Sequence, residues 1–258
     1  MAKPRERVAG SSNKLLRVAG LPAVAALFSA APERVERLFF EERMKPHVGA
    51  FCVELARRRL PYRLVAAEEI ERIAGSVMHG GIVALAKPRP VAALDVAQCA
   101  RWAARGRLLL LLDGVGNPHN LGAIARSAAF FGIERMILSD HPGQAGPSDA
   151  SYRVAEGGLE YVELHHAPRF APMLIELCRH YRVIGAAAAG GRPLAALRAA
   201  DRPIALVLGN EERGLPPATL KACEELVTIP GAGRVQSLNV AASAAILLQA
   251  LCAVAPQG

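Results

Sequence analysis

Three stretches of this 258-residue chain combine glycines with side chains that can donate, accept or carry charge. The first runs from Asp113 to Ser127 and sets Asn117, His119 and Asn120 at a turn, with Arg126 on the helix that should follow. The second is Gly209-Asn-Glu-Glu-Arg-Gly-Leu215, and the third runs from Pro230 to Asn239 and leads into an apolar helix. Glycine lets backbone approach a ligand closely, and amide and guanidinium groups can then read or stabilise it. Some chemistries are argued against by spelling. Gly114-x-Gly116 lacks the third glycine and the acidic residue about 20 positions on that a nicotinamide dinucleotide site needs, and there is no G-x-x-x-x-G-K-[ST] phosphate loop. Each stretch also has a purely structural reading. Ser237 can cap the last helix with Asn239 in its first turn, and Glu211 can stabilise a helix start.

What turns three ambiguous loops into one candidate site is where they fall. Leu108 to Leu112, Met136 to Leu138, Val183 to Ala186, Ile204 to Leu208 and Leu226 to Ile229 are continuous apolar runs, the pattern of strands buried on both faces of a parallel sheet. Helical segments at Leu121 to Phe131, Phe170 to Tyr181 and Pro216 to Cys223 supply crossovers, and Leu238 to Val254 closes the chain as a long Ala/Leu helix. In such sheets ligands sit beyond the carboxyl ends of strands, and all three loops lie there.

Upstream the pattern changes. Residues 1–13 read as a basic flexible tail. Residues 14–88 alternate helix and strand: a helix from Pro22, a strand over Val35 to Phe40, a helix opened by Pro46, strand-like Tyr62 to Ala66, a helix over Glu68 to Ala74 and a strand over Ile82 to Ala86. A small α/β sandwich of about 75 residues is expected. Lys87-Pro-Arg-Pro90 interrupts regular structure, so 89–106 reads as a linker or hinge and 107–258 as the second, larger α/β domain.

Bulk properties narrow the class. Hydrophobic residues at 52% with only 5% aromatics predict a core of Ala, Leu and Val. A net charge of +8 and a pI near 9.7 favour a polyanionic partner through counterion release. Cys52, Cys99, Cys178, Cys223 and Cys252 are scattered, with no C-x-x-C pair and no histidine at ligand spacing, so reduced buried thiols and no metal are expected. The longest apolar tract is far short of a membrane span and residues 1–13 hold no signal region, so a cytoplasmic protein with no membrane association is expected.

The loops also resemble, in order and spelling, the three motifs of the SpoU/TrmH branch of the SPOUT RNA methyltransferases. Asn117-Pro-His-Asn-Leu-Gly-Ala-Ile-Ala-Arg126 looks like the first, Leu206-Val-Leu-Gly-Asn-Glu-Glu-Arg-Gly-Leu215 the second, and Ile229-Pro230 with Ser237-Leu-Asn-Val240 the third. Over about 150 residues the ordered set is specific, where one motif alone is only suggestive. The resemblance implies a C-terminal SPOUT α/β trefoil-knot domain with a parallel sheet, preceded by a smaller L30e-like RNA substrate-binding domain. The latter rests on the α/β alternation, Val35-Glu-Arg-Leu-Phe39 and His79-Gly-Gly-Ile-Val-Ala84.

By resemblance the chain is an S-adenosylmethionine-dependent RNA methyltransferase that releases S-adenosylhomocysteine, uses no metal, and methylates a ribose 2′-hydroxyl of rRNA or tRNA. Gly209, Ile229 and Leu238 would line the cofactor pocket through backbone groups, with Leu208, Asn210, Glu211, Pro230, Ser237 and Asn239 beside them. Asn120 and Arg126 would be catalytic, and Asn117, Arg126 and Arg153 would contact RNA. A guanidinium stays protonated, with a pKa above roughly 12, so Arg126 suits holding a phosphate or oxyanion better than removing a proton. A homodimer through the knotted domains is implied. The alternative is a catalytically inactive SPOUT-fold RNA-binding protein acting in RNA folding or ribosome assembly; base methylation is a third reading. Two departures bear on substrate choice: Glu212 stands where the family usually has glycine, and Ser148-Asp-Ala-Ser-Tyr-Arg-Val-Ala-Glu-Gly-Gly158 replaces its more usual central stretch.

Overall fold

A computed structural model describes residues 14–197 and 201–254; the expected basic tail, residues 1–13, lies outside them. The N-terminal unit comprises β1 (Leu16–Ala19), α1 (Leu21–Ala30), β2 (Val35–Phe40), α2 (Lys45–Arg57), β3 (Tyr62–Leu64), α3 (Ala67–Ala74) and β4 (Ile82–Ala86). Its four strands lie in the order β1-β4-β2-β3, with β4 antiparallel to both neighbours and β2 parallel to β3. Strand β1, beside the basic tail, is not foreseen from sequence.

The C-terminal unit comprises β5 (Ala92–Ala93), α4 (Val96–Ala103), β6 (Leu109–Asp113), α5 (Pro118–Phe130), β7 (Arg135–Ser139), α6 (Asp149–Ala155), α7 (Gly158–Tyr161) and β8 (Glu163–Ala167). It continues with α8 (Phe170–Leu177), β9 (Arg182–Ala186), β10 (Arg192–Pro193), β11 (Ile204–Gly209), α9 (Pro217–Ala222), β12 (Glu225–Thr228) and α10 (Val240–Val254). Eight strands form one sheet in the order β10-β12-β9-β11-β6-β7-β8-β5, and every pairing is parallel. The apolar runs read as doubly covered strands behave so: β6 and β11 are buried at every position. Side-chain alternation divides them between two cores. Leu110 and Leu112 join α5, α10 and the N-terminal unit, while Leu109 and Leu111 join α4 and α8 around Trp102 and Phe170. Burying each such leucine contributes roughly 1.5–3 kcal/mol.

The stretch expected to be a linker is folded onto this sheet. Ala92–Ala93 pairs with β8, Asp95 caps α4 by accepting from the Ala97 N–H, and Cys99 and Trp102 enter the core. The N-terminal unit is docked as well. Arg34 is buried and donates to Glu160 Oε2 at 2.6 Å and to the Lys87 carbonyl, with its guanidinium 5.9 Å from the Tyr152 ring centre. The Arg17 N–H donates to Asp149, and Arg89 donates to the carbonyls of Leu159, Glu160 and Val162.

Candidate active site

The chain builds its sheet outward from β6 through β7 to β8, then crosses back to place β11, β9 and β12 on the other side of β6. This reversal makes a crevice at the carboxyl ends of β6 and β11, where open parallel sheets bind ligands. A cavity of about 640 Å³ opens beside it, at the carboxyl ends of β9, β11 and β12. Leu208, Gly209, Asn210, Glu211, Ile229, Pro230, Ser237 and Leu238, all singled out from sequence, line it.

Each loop is held by identifiable bonds. After β6, Gln144 accepts from the N–H groups of Gly114 and Val115 at 2.9 and 3.1 Å, and its amide donates to the Val115 carbonyl. Asn117 caps α5 by accepting from the His119 N–H, with Pro118 in the first turn, where its missing N–H costs nothing. After β11 the chain doubles back, with Asn210 and Gly214 exchanging backbone hydrogen bonds. A Cβ on Gly209 would lie 2.4 Å from the Gly214 carbonyl carbon, so the strand end requires glycine. The Glu212 and Arg213 N–H groups donate to Asn210 Oδ1, each at 3.0 Å. Glu212 does not adopt positive φ, so its backbone carries a side chain without strain, and the departure adds an exposed carboxylate to the cavity rim.

Asn120, Glu211 and Asn239 join the three loops. Buried Asn120 donates from Nδ2 to Glu211 Oε1 at 2.7 Å and accepts at Oδ1 from Asn239 Nδ2 at 3.1 Å. Glu211 Oε2 accepts from Asn210 Nδ2, which also donates to the Gly114 carbonyl. Asn239 does not line the cavity; its Oδ1 accepts from the Ala241 N–H and its carbonyl from the Ser243 N–H, so it caps α10. The structural reading of that loop thus holds for Asn239 rather than Ser237, and the cap also joins the network.

Arg126 lies apart. It follows Asn120 by six residues on α5, roughly 240° around a helix of 3.6 residues per turn. There its exposed guanidinium pairs with Glu156 at 2.9 Å. Within one chain Asn120 is joined to the cavity-lining Glu211, while Arg126 is turned to α6 and α7. Arg153 is half-buried on α6, which packs so closely on α5 that a Cβ on Gly122 would lie 2.4 Å from the Ser151 carbonyl oxygen.

Several cavity residues escape sequence reasoning. Ala186 to Ala188 line one wall at the end of β9, where small side chains leave room, and Thr228, Arg213, Arg234 and Leu247 complete it. The alanine run after a predicted strand was the available signal. Gln144 carried none. Burial raises the pKa of all five cysteines, Cys99 and Cys223 to about 12, which keeps them as thiols. Among the described residues no helix is long and apolar enough to cross a membrane.

A parallel α/β sheet with a cavity at the carboxyl ends of β9, β11 and β12, walled by two polar loops and tied to a third through Asn120, defines a small-ligand-binding domain joined to a smaller α/β unit. Residues 107–249 match the SpoU rRNA Methylase family, and residues 17–92 match RNA 2′-O ribose methyltransferase substrate binding. The chain belongs to the SpoU rRNA methylase family. It is 32% identical over 237 residues to the 23S rRNA (guanosine-2′-O-)-methyltransferase RlmB of Acinetobacter baylyi, a match covering 90% of this chain and 95% of that protein. It is 32% identical to the uncharacterized tRNA/rRNA methyltransferase YfiF of Escherichia coli O157:H7, over 90% of this chain and 66% of the longer relative. The fold is that of an AdoMet-bound rRNA methyltransferase from Sinorhizobium meliloti, with a TM-score of 0.75 and 23% identity over 92% of this chain and 87% of that one.

Proposed function

We propose that this chain is an S-adenosylmethionine-dependent RNA methyltransferase acting on a ribose 2′-hydroxyl, with ribosomal RNA as the first substrate to test. The observation that carries this reading is the Asn120–Glu211–Asn239 network, which ties the three loops together beside a cavity suited to the cofactor. The cavity is of the size usual for such ligands, roughly 300–1,000 Å³. Its walls fit too. Leu208, Val227, Ile229 and Leu247 give apolar surface for an adenine, and the loops after β11 and β12 present backbone donors and acceptors.

When bound, the cofactor supplies a methyl group on a sulfonium, an electrophile that needs no metal. The chain's residues do the rest. Glu211 is engaged by both Asn120 and Asn210, so it anchors the pocket floor and is not the proton acceptor. Asn120 is a positioning residue that fixes this loop against α5. Arg126 holds the target nucleotide and stabilises negative charge as it develops on the 2′-oxygen. Asn117 and Arg153 flank the RNA path. Because Arg126 faces away from its own network, it serves the cavity of a second copy in a homodimer. Phe130 at 83% exposure, on α5, and Ile246, on α10, offer the apolar surface for that pairing.

On the N-terminal unit, exposed Arg37, Arg57 and Arg59 are candidates to contact RNA phosphates. Arg58 donates to the carbonyls of Pro32, Glu33 and Val35, and Arg17 is paired with Asp149. A cytoplasmic location follows from the substrate. Calorimetric titration with S-adenosylmethionine tests the reading: binding in the micromolar range, lost in Gly209→Arg, supports it. Absence of binding by folded protein would sink it in favour of an inactive RNA-binding protein.

A further inference from the structure

The Ala155-Glu156-Gly157-Gly158 stretch, where the sequence departs from its family, is a wedge between the N-terminal unit and α5. Gly157, at φ 96°, faces α1: a Cβ there would lie 2.5 Å from Ala26 Cβ and 3.2 Å from the Pro22 carbonyl oxygen. Gly158 faces α5: a Cβ there would lie 2.8 Å from Arg126 Cα and 2.9 Å from the Ala125 carbonyl oxygen. Two adjacent glycines thus let one short turn touch the substrate-binding unit on one side and the backbone of Arg126 on the other. Just before them, Glu156 ends α6 in the left-handed region, at φ 44°, a conformation that side chains other than Gly, Asn and Asp rarely adopt. From that position its carboxylate meets the Arg126 guanidinium at 2.9 Å. Two residues further on from the glycines, Glu160 is clamped by Arg34 of the N-terminal unit at 2.6 Å.

We propose that Glu156 is a positioning residue that orients the Arg126 guanidinium for methyl transfer, and that docking of the N-terminal unit fixes Glu156 in place. The proposal rests on the role given to Arg126 above. Arginine has many rotamers, and a carboxylate held by a tight turn selects among them before RNA arrives, which reduces the ordering left for the transition state. A strained non-glycine residue at this cap is what such a role predicts, since glycine would fit the backbone better but could not hold the guanidinium.

The test uses the full chain as wild type, Glu156→Gln and Glu156→Gly, with labelled S-adenosylmethionine and transcribed 23S rRNA. The Arg126 Nε–H signal, assigned by its loss in Arg126→Lys, reports side-chain order by NMR relaxation. Both variants should show a mobile Arg126 side chain and a kcat lower by about tenfold or more, with KM for RNA and affinity for S-adenosylmethionine within about twofold. Glu156→Gly should melt at the same or a higher temperature, which separates positioning from structural support. An unchanged Arg126 relaxation profile, an undiminished kcat, or a rate loss matched by a lower melting temperature in Glu156→Gly would each overturn the proposal. If wild type transfers no methyl group the catalytic reading fails, and the NMR comparison still decides whether Glu156 orders Arg126.

Discussion

Two arginine–glutamate pairs share one turn-rich segment through their glutamates, Glu156 and Glu160, and they differ sharply in exposure to water. Arg34–Glu160 has side chains 10% and 1% exposed and joins the two units; Arg126–Glu156 has side chains 57% and 46% exposed and lies on the surface of α5. An exposed pair is screened and contributes roughly 0–1 kcal/mol, so selection for stability gives little reason to keep it. A buried pair is different. Removing one partner leaves an uncompensated charge, although the pair itself need not be better than apolar residues. Burial, which raises the Glu160 pKa even against the lowering effect of Arg34, marks that pair as a lock whose failure is felt throughout the fold. Exposure leaves Arg126–Glu156 accessible, as the role proposed for Arg126 requires.

The largest effect should come from Arg34→Ala, which ought to cost about 3–5 kcal/mol in urea unfolding at pH 7. Its pH dependence follows from the raised Glu160 pKa. A carboxyl whose folded pKa lies above its unfolded value contributes stability below the unfolded pKa and loses it as pH rises through the folded one. Removing Arg34 raises the folded pKa further, so the deficit of Arg34→Ala should shrink as the solution is made acid; a deficit independent of pH would show that Glu160 is not the group left unpaired.

Next in size is Arg126→Ala. Methyl transfer should fall by about 10²–10³, the usual effect of losing one charge-stabilising donor, while cofactor affinity stays nearly intact. A loss of affinity for S-adenosylmethionine instead would place Arg126 in the cofactor site. Smaller still is the combined Arg34→Met and Glu160→Leu replacement. Apolar residues of similar volume should restore stability to within about 1 kcal/mol of wild type, because the cost lies in stranding a charge. If the double variant is as unstable as Arg34→Ala, the pair supplies specific hydrogen bonding that packing cannot replace. The smallest effect is on the exposed pair: a double-mutant cycle of Arg126→Ala and Glu156→Ala should give a stability coupling below about 1 kcal/mol.

What the sequence reveals, and what it hides, follows the range of the interactions. Strands β6 and β11 are legible because runs such as Leu109-Leu-Leu-Leu112 announce burial on both faces, and the loop after β11 is legible as a cavity wall because it follows such a strand. Strand β8, Glu163-Leu-His-His-Ala167, carries no such run and is missed, as is β5, whose two alanines become a strand only by pairing with it. The 89–106 segment reads as a linker because Pro88 and Pro90 at its start are local signals, whereas its docking depends on Trp102 and Cys99 meeting a distant core. Of the site, the members of the three motifs are named in advance. Their separation is not: that Asn120 turns inward to Glu211 and Arg126 outward to Glu156 depends on which helix covers which side of α5. Arg34 reads as one basic residue among many, since its partner lies 126 residues away.

The measurement closest to the central claim is transfer of tritium from methyl-labelled S-adenosylmethionine to transcribed 23S rRNA, followed by alkaline hydrolysis. Methylation of a ribose 2′-oxygen blocks cleavage at that nucleotide, so the account predicts label in alkali-resistant dinucleotides, with its rate of appearance lower by about 10²–10³ in Arg126→Ala. Label recovered in ordinary mononucleotides would mean base methylation. No label in RNA from a protein that binds the cofactor would contradict the assignment of this RNA as substrate.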